Sequence, residues 1–355
     1  MADTPLSLTT TMGFFYKQSL PMLRQFIAAF FSNIVTTNQT QIQVDRYTKK
    51  FRDIAYVPLH GVSRLKQFNN GKGIMYQPPR ISVKTPIGDS WDGVTVGTSA
   101  MAPVTEHLAQ KYALIQEEHS EDIWTTIVLQ ALSMMRTGSF TATTGEDGQS
   151  VGVFNYNRDS SLNLSTYDTS SSGAYNGLKE LFDVLKTFNI PKGGLVAIVG
   201  SNYMSALEED STFSDYQKNT QYQVFTPQQA GQPFSGTEVL TTITRVKIPG
   251  TSHYVTLLSF DETYENTSGT DVPFFPLNEV VMTSMNTRNT AAFAGIKVAD
   301  VSNNSLNVFS GEIITDRQLF NEPDDLCLRS QSRPLMIPGN INHIGRLIAT
   351  NLSAT

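Results

Sequence analysis

Three kinds of residue in this sequence could do chemistry: a serine after an acid, a serine at a strand-to-helix turn, and a few histidines. Gly88-Asp89-Ser90 offers the first. A serine hydroxyl is a weak nucleophile until a base takes its proton and a third group orients that base. His343 could be imagined as the base, but no Asp-x-x-His spacing precedes it. The residues before the serine, Lys84-Thr85-Pro86-Ile87, include a proline, which disfavours a central strand. Val199-Gly200-Ser201 sits where a phosphate could meet a helix N-terminus. It lacks the lysine pattern and the glycine spacing of nucleotide-binding loops. It reads instead as a tight turn with Ser201 or Asn202 as the N-cap. The histidines are His60, His107, His119, His253 and His343, and none forms a His-Glu-x-x-His or Glu-x-x-His helical site. One cysteine, Cys327, excludes an internal disulfide and a cysteine-based metal cluster. No catalytic residue, metal ligand or cofactor is expected.

The charges are more suggestive. Glu117, Glu118, Glu121 and Asp122 place like charges four apart twice, and each such helical pair costs about 0.2–0.5 kcal/mol. They form either a solvated face or a dock for a basic partner. From Ile54 to Gly88 there is no acid, while Arg64, Lys66, Lys72, Arg80 and Lys84 fall in or beside that stretch. These nine residues are the candidate inter-subunit contacts.

The elements that would position them follow from spacing. Leu108, Tyr112, Ile115, His119, Ile123, Ile127, Ala131 and Met135 recur every three or four residues. Pro103 suits a first turn and Gly138 a stop, so a helix of about 50 Å is expected over 104–136. On this stripe His119 reads as a packed core or interface histidine. Leu20 to Asn33 has helical spacing, and Gln41 to Val57 alternates as a strand does. Residues 58–95 read as a long hairpin turning at Asn69-Asn70-Gly71-Lys72-Gly73. Ser139 to Gly173 is mostly polar, with a strand at Val151 to Tyr156, and resembles a crossing between domains. Then come a helix (Tyr175 to Phe188), a buried strand (Leu195 to Val199), a short helix (Asn202 to Glu209), and strands at 237–246, 254–260, 280–283 and 296–301. The order suggests an α+β fold.

Composition narrows the class. A net charge of −6 argues against a protein built mainly to grip nucleic acid. The best apolar run, Phe26 to Phe31, is far shorter than the roughly 20 residues of a membrane-spanning helix. It also lacks the pattern of a secretory signal, so a cytoplasmic origin is expected.

Taken together, the chain resembles the lambda-like major capsid proteins of tailed bacteriophages, which have the HK97 fold. Leu23-Arg24-Gln25-Phe26-Ile27 with Phe30-Phe31 resembles the family's N-terminal helix. The helix 104–136 running into Met135-Arg136-Thr137-Gly138-Ser139-Phe140 resembles its spine helix and first strand. Phe275-Pro276-Leu277-Asn278 before Val280-Val281-Met282, then Asn286-Thr287-Arg288, resembles a family strand and turn. Gln331-Ser332-Arg333-Pro334-Leu335-Met336 resembles the closing motif.

The resemblance implies a structural protein rather than an enzyme, assembling as hexamers and pentamers of an icosahedral head around double-stranded DNA. It implies an N-terminal arm (1–46), an extended loop (58–95), a peripheral domain (47–57, 96–168 and 322–355) and an axial domain (169–321). The basic loop would lie over a neighbour's acidic helix. A separate scaffolding protein, a decoration protein, a portal at one vertex and weak non-specific DNA contact are implied as partners, with no membrane. The place would be the virion, assembled in the host cytoplasm. Lys66, Lys72, Asn69 and Asn70 are eligible for the Lys–Asn crosslinks of some such shells, but a decoration protein is the favoured reinforcement. An encapsulin-like compartment and a GDS-type esterase are the rival readings. Arm and loop are expected to pack poorly on one chain, exposing Phe14, Phe15, Ile74 and Met75. The late stretch Arg329-Ser330-Gln331-Ser332-Arg333 reads as a polar turn with edge or interface arginines. Pro334 to Ile337 and a last strand, 343–352, would close the peripheral domain.

Overall fold

The computed structural model describes residues 22–46, 72–87, 104–143, 150–219, 240–266, 268–300, 305–319 and 326–352. Its longest element is the α-helix Val104–Thr137, as the spacing predicts. Gly138 ends it with φ +74°, the left-handed conformation that glycine adopts without strain. Its N–H donates to the Met134 carbonyl at 2.9 Å.

A mixed six-stranded sheet separates two apolar cores. Its order is Asn163–Asp168, Gly345–Thr350, Glu279–Ser284, Leu195–Val199, Tyr254–Ser259 and Thr241–Lys247. Side chains alternate across a strand. Leu195, Ala197 and Val199 therefore join Leu178, Leu181 and Leu185 of the helix Ala174–Thr187 in one core. Val196 and Ile198 join the other, with Ile123, Trp124, Ile127 and Ala131 of the long helix. Burial on both faces explains why Leu195–Val199 is apolar without alternation.

The N-terminal helix spans Met22–Phe30. Phe26, Ile27, Phe30 and Phe31 are buried in the second core, and Phe26 stacks on Phe260 with ring centroids 5.0 Å apart. The expectation of a poorly packed arm is thus corrected for this part. Four apolar side chains on one face bury more readily against their own chain than in water. Phe14 and Phe15 lie outside the described residues. After the helix, Asn33–Thr36 pairs in parallel with Thr290–Phe293, which pairs antiparallel with Pro334–Ile337.

The hairpin is also corrected. Lys72–Tyr76 pairs antiparallel with Ile42–Arg46, matching Lys72 to Arg46 and Tyr76 to Ile42. Lys72 and Gly73, expected in a turn, lie within the strand. Non-local packing overrides the local turn signal: Ile42, Val44 and Tyr76 all seat on the second core. The segment Ile81–Ile87 takes a different partner. It forms the edge of a three-stranded sheet with Leu326–Ser332 in the centre and Ile314–Leu319 beyond. Pro86 is tolerated on that edge.

The centre of this sheet holds the expected polar turn. Ser330, Gln331 and Ser332 are buried strand residues, not a loop. The last strand, Gly345–Thr350, lies between Asn163–Asp168 and Glu279–Ser284. The expected domain boundaries at 168/169 and 321/322 therefore cut through one hydrogen-bonded sheet. The polar crossing likewise contributes strands, Ser150–Asn155 and Asn163–Asp168. Among the described residues no helix is long and apolar enough to cross a membrane.

Candidate assembly interface

The acidic face survives folding intact. Glu117, Glu118, Glu121 and Asp122 are all exposed on the long helix, and none has an ion-pair partner among the described residues. Partial burial, then Glu118, push the Asp122 carboxyl above its ordinary range, with His119 opposing. Leu114, one turn earlier, is 65% exposed.

The basic candidates are scattered. Arg64 and Lys66 lie outside the described residues, as do Asn69, Asn70 and Gly88-Asp89-Ser90. Lys72 stands on the hairpin's return strand, where Met75 is 64% exposed; the side chain of Ile74 is outside the described set. Lys84 is exposed on the edge strand, in register with Arg329. Arg80 is exposed beside Arg333. Among the described residues, no ion pair joins Arg80 or Lys84 to the acidic face.

Directly beneath that face lies a polar network. His119 is 1% exposed. Its Nε2 lies 2.7 Å from the Thr85 hydroxyl and its Nδ1 3.1 Å from the Ser330 hydroxyl. Burial holds its imidazole below the usual value, against the opposing pull of Asp122 and Glu118. Ser330 also meets Thr315 at 3.0 Å. One step away, Arg329 pairs through two bonds with Asp316, and Gln331 donates to the same carboxylate at 3.0 Å. Arg329 is 7% exposed, so it is neither an edge nor an interface residue. Desolvating a guanidinium requires such a partner, and the central strand position supplies it. Arg333 is likewise an internal tie, donating to the carbonyls of Pro78 and Gly295.

A second network was not foreseen from sequence. Glu279, buried in the six-stranded sheet, accepts paired bonds from Arg136 and Arg346. Burial pushes its carboxyl up, but the two arginines outweigh this and hold it below the ordinary range. Arg158 caps the long helix through the carbonyls of Met135 and Arg136 at 2.9 and 2.6 Å. Burial, then Arg346, bring its guanidinium down to about 10. Arg136 and Arg346 lie 143 and 67 residues from Glu279, so only an acid inside an apolar run, Glu279 before Val280-Val281-Met282, could have hinted at it.

The phosphate reading of Val199-Gly200-Ser201 fails on geometry. The N-cap is Gly200, correcting the expected Ser201 or Asn202. The Leu277 carbonyl accepts from the N–H groups of Asn202 and Tyr203 at 3.1 and 3.2 Å. A Cβ on Gly200 would lie 2.3 Å from that oxygen, so the chain itself occupies the helix start. Among the described residues no cluster of His, Cys, Asp and Glu could hold a metal.

The family model of phage major capsid protein E matches residues 17–349. The chain belongs to this capsid protein family. A solved structure described as a prophage capsid protein of E. coli CFT073 superposes with a TM-score of 0.65 at 12% identity, covering 97% of this chain and 99% of that one. Fainter likenesses include the satellite phage P4 procapsid (TM-score 0.45, 11% identity, 99% and 94% covered) and the SrpI encapsulin of Synechococcus elongatus PCC 7942 (0.46, 8%, 94% and 91%). No curated protein matches in sequence. The capsid protein has the HK97 fold, and its role is structural. Capsid shells are oligomeric, so this capsid protein works through contacts between copies. Among the described residues, the acidic face with Leu114 and the hairpin with Met75 are exposed charged or apolar surfaces that such contacts could use.

Proposed function

We propose that copies of this chain form hexamers and pentamers of an icosahedral phage head that encloses double-stranded DNA. Membership of the capsid protein E family carries this reading. The arm ahead of the Met22–Phe30 helix and the extended loop (58–95) reach neighbouring copies. Residues 47–57, 96–168 and 322–355 build the periphery, and 169–321 the capsomer axis, the two joined through the shared sheet. Contact with DNA is weak and non-specific, as suits a net charge of −6. A separate scaffolding protein, a decoration protein and a portal complete the head, which is assembled in the host cytoplasm.

The loop of one copy lies over the acidic helix of the next. Such a contact joins two different surfaces, and repetition closes a ring when the rotation between copies is a five- or six-fold one. Negative-stain microscopy of the purified protein tests the reading. Closed shells or free capsomers are expected, and a uniform small globule at all concentrations would overturn it. Nuclease-protected DNA in shells from infected cells would distinguish a head from a cargo compartment.

A further inference from the structure

At the base of the hairpin, four stretches of chain border an open pocket of about 290 Å³ lined by Thr40, Gln77, Arg80, Ile296, Lys297 and Arg333. Three of the six lining side chains are cationic and none is acidic. Arg80 and Lys297 are exposed, and neither has an ion-pair partner among the described residues. Arg333 is half-buried and anchored. Its three bonds to the Pro78 and Gly295 carbonyls fix the guanidinium, leaving two of its five N–H donors for a ligand. Burial, then Arg80, lower its proton affinity, so the cations repel each other when the cavity lacks an anion. Gly295 keeps the wall close: a Cβ there would meet the Asn38 carbonyl at 2.6 Å.

We infer that this cavity is a carboxylate-binding pocket whose occupant is the acidic face of the long helix in a second copy of the chain. The inference deepens the loop-over-helix contact proposed above and rests on it. It moves the electrostatic anchor from Lys66 and Lys72 to Arg80 and Lys297. Charge complementarity selects the occupant. Glu117, Glu118, Glu121 and Asp122 place four exposed carboxylates within about 7.5 Å of helix rise, matching a pocket with three cations and no acid. Among the described residues neither the four carboxylates nor Arg80 and Lys297 have an ion-pair partner, and like charges crowd each surface. One heterologous contact relieves both, and every copy in a ring makes it once as donor and once as acceptor.

Charge reversal in the full chain tests this. Arg80→Glu with Lys297→Glu should reduce the assembled fraction about tenfold or more, because like charges would then face each other. Both residues are exposed, and circular dichroism of the unassembled chain checks folding. Arg80→Gln with Lys297→Gln is the milder variant and should give a smaller loss. Adding Glu117→Lys and Glu118→Lys to the reversed pocket should restore shells. The same swap should not restore assembly to a Lys66→Glu, Lys72→Glu variant. Unchanged assembly of the reversed pocket would overturn the inference, as would a loss that the swap does not rescue. Normal shells with less DNA would show that the pocket's anion is phosphate, which also overturns it. If the unaltered chain forms neither shells nor capsomers, the shell reading itself fails. If it does and only the pocket variants behave normally, the pocket alone is wrong.

Discussion

From Ile123 to Met135 the long helix buries Trp124, Ile127, Val128, Ala131, Leu132 and Met134, whereas from Tyr112 to Asp122 it buries only Ile115 and His119. The first half rests on an apolar core shared with the N-terminal helix and the six-stranded sheet. The second rests on a strand of buried serines, a glutamine and an arginine. Apolar contact is non-directional, and its worth grows with the area removed from water. A buried polar strand is useful only when each group meets its partner, and it becomes costly when one is removed. One helix therefore spans a half that supplies stability and a half that specifies alignment. The second half lies beneath the acidic face that a neighbour is proposed to read.

Deleting residues 334–355 is the strongest way to break the apolar half. It removes Leu335, Met336, Ile344 and Leu347, all fully buried, together with an internal strand of the main sheet. Loss of cooperative folding, followed by circular dichroism on heating, is expected. A truncated chain that melts normally and assembles would contradict the topology.

Phe26→Ala comes next, at about 3–5 kcal/mol of destabilisation in denaturant titration. A cost below about 1 kcal/mol would mean that the arm helix is a peripheral attachment after all. Asp316→Ala probes the polar half by stranding Arg329, at about 3 kcal/mol. Replacing both, Asp316→Leu with Arg329→Met, should recover most of that loss, because the pair's value is in alignment more than in stability. If the double variant is no better than the single, the ion pair is a true source of stability and the contrast between the two halves weakens.

A pH series sharpens the contrast further. His119 faces Thr85, Ser330, Asp122 and Glu118, and its folded value lies below the usual 6.5. As pH falls below 6.5, the unfolded chain takes up the proton first. The stability that the neutral imidazole contributes above that pH is lost as pH falls through the folded value. The melting temperature should therefore drop on acidification from pH 7, and His119→Gln should flatten that slope. An unchanged slope would assign the acid sensitivity to another group. The smallest effect is expected for Glu118→Gln, which should stabilise the isolated chain by about 0.2–0.5 kcal/mol by relieving its like-charge neighbour. The same change should weaken assembly, measured by sedimentation, if the acidic face is a dock.

Residue periodicity was enough to place the long helix to within a residue at its end, because Gly138 and the stripe up to Met135 act locally. It also placed Leu195–Val199 and the helix after Gly173. It failed where a partner far along the chain decides. Lys72-Gly73 reads as part of a turn in a local window, yet Lys72–Tyr76 takes its register from Ile42–Arg46 and from the core beneath. Arg329-Ser330-Gln331-Ser332 looks like a surface turn because each side chain is polar. It is a buried strand because Asp316 pairs with Arg329 and Gln331, and Thr315 and His119 with Ser330, from elsewhere.

The sequence by itself determined the capsid family, the helices and the charge imbalance, since these depend on residue types and short-range spacing. Only the tertiary structure decided that the final strand threads the middle of the main sheet, that Glu279 is held by Arg136 and Arg346, and that Arg80, Lys297 and Arg333 line one cavity. Those are meetings of segments up to some 250 residues apart. The free energy of burial and pairing that selects them belongs to the folded chain, and no local window contains it.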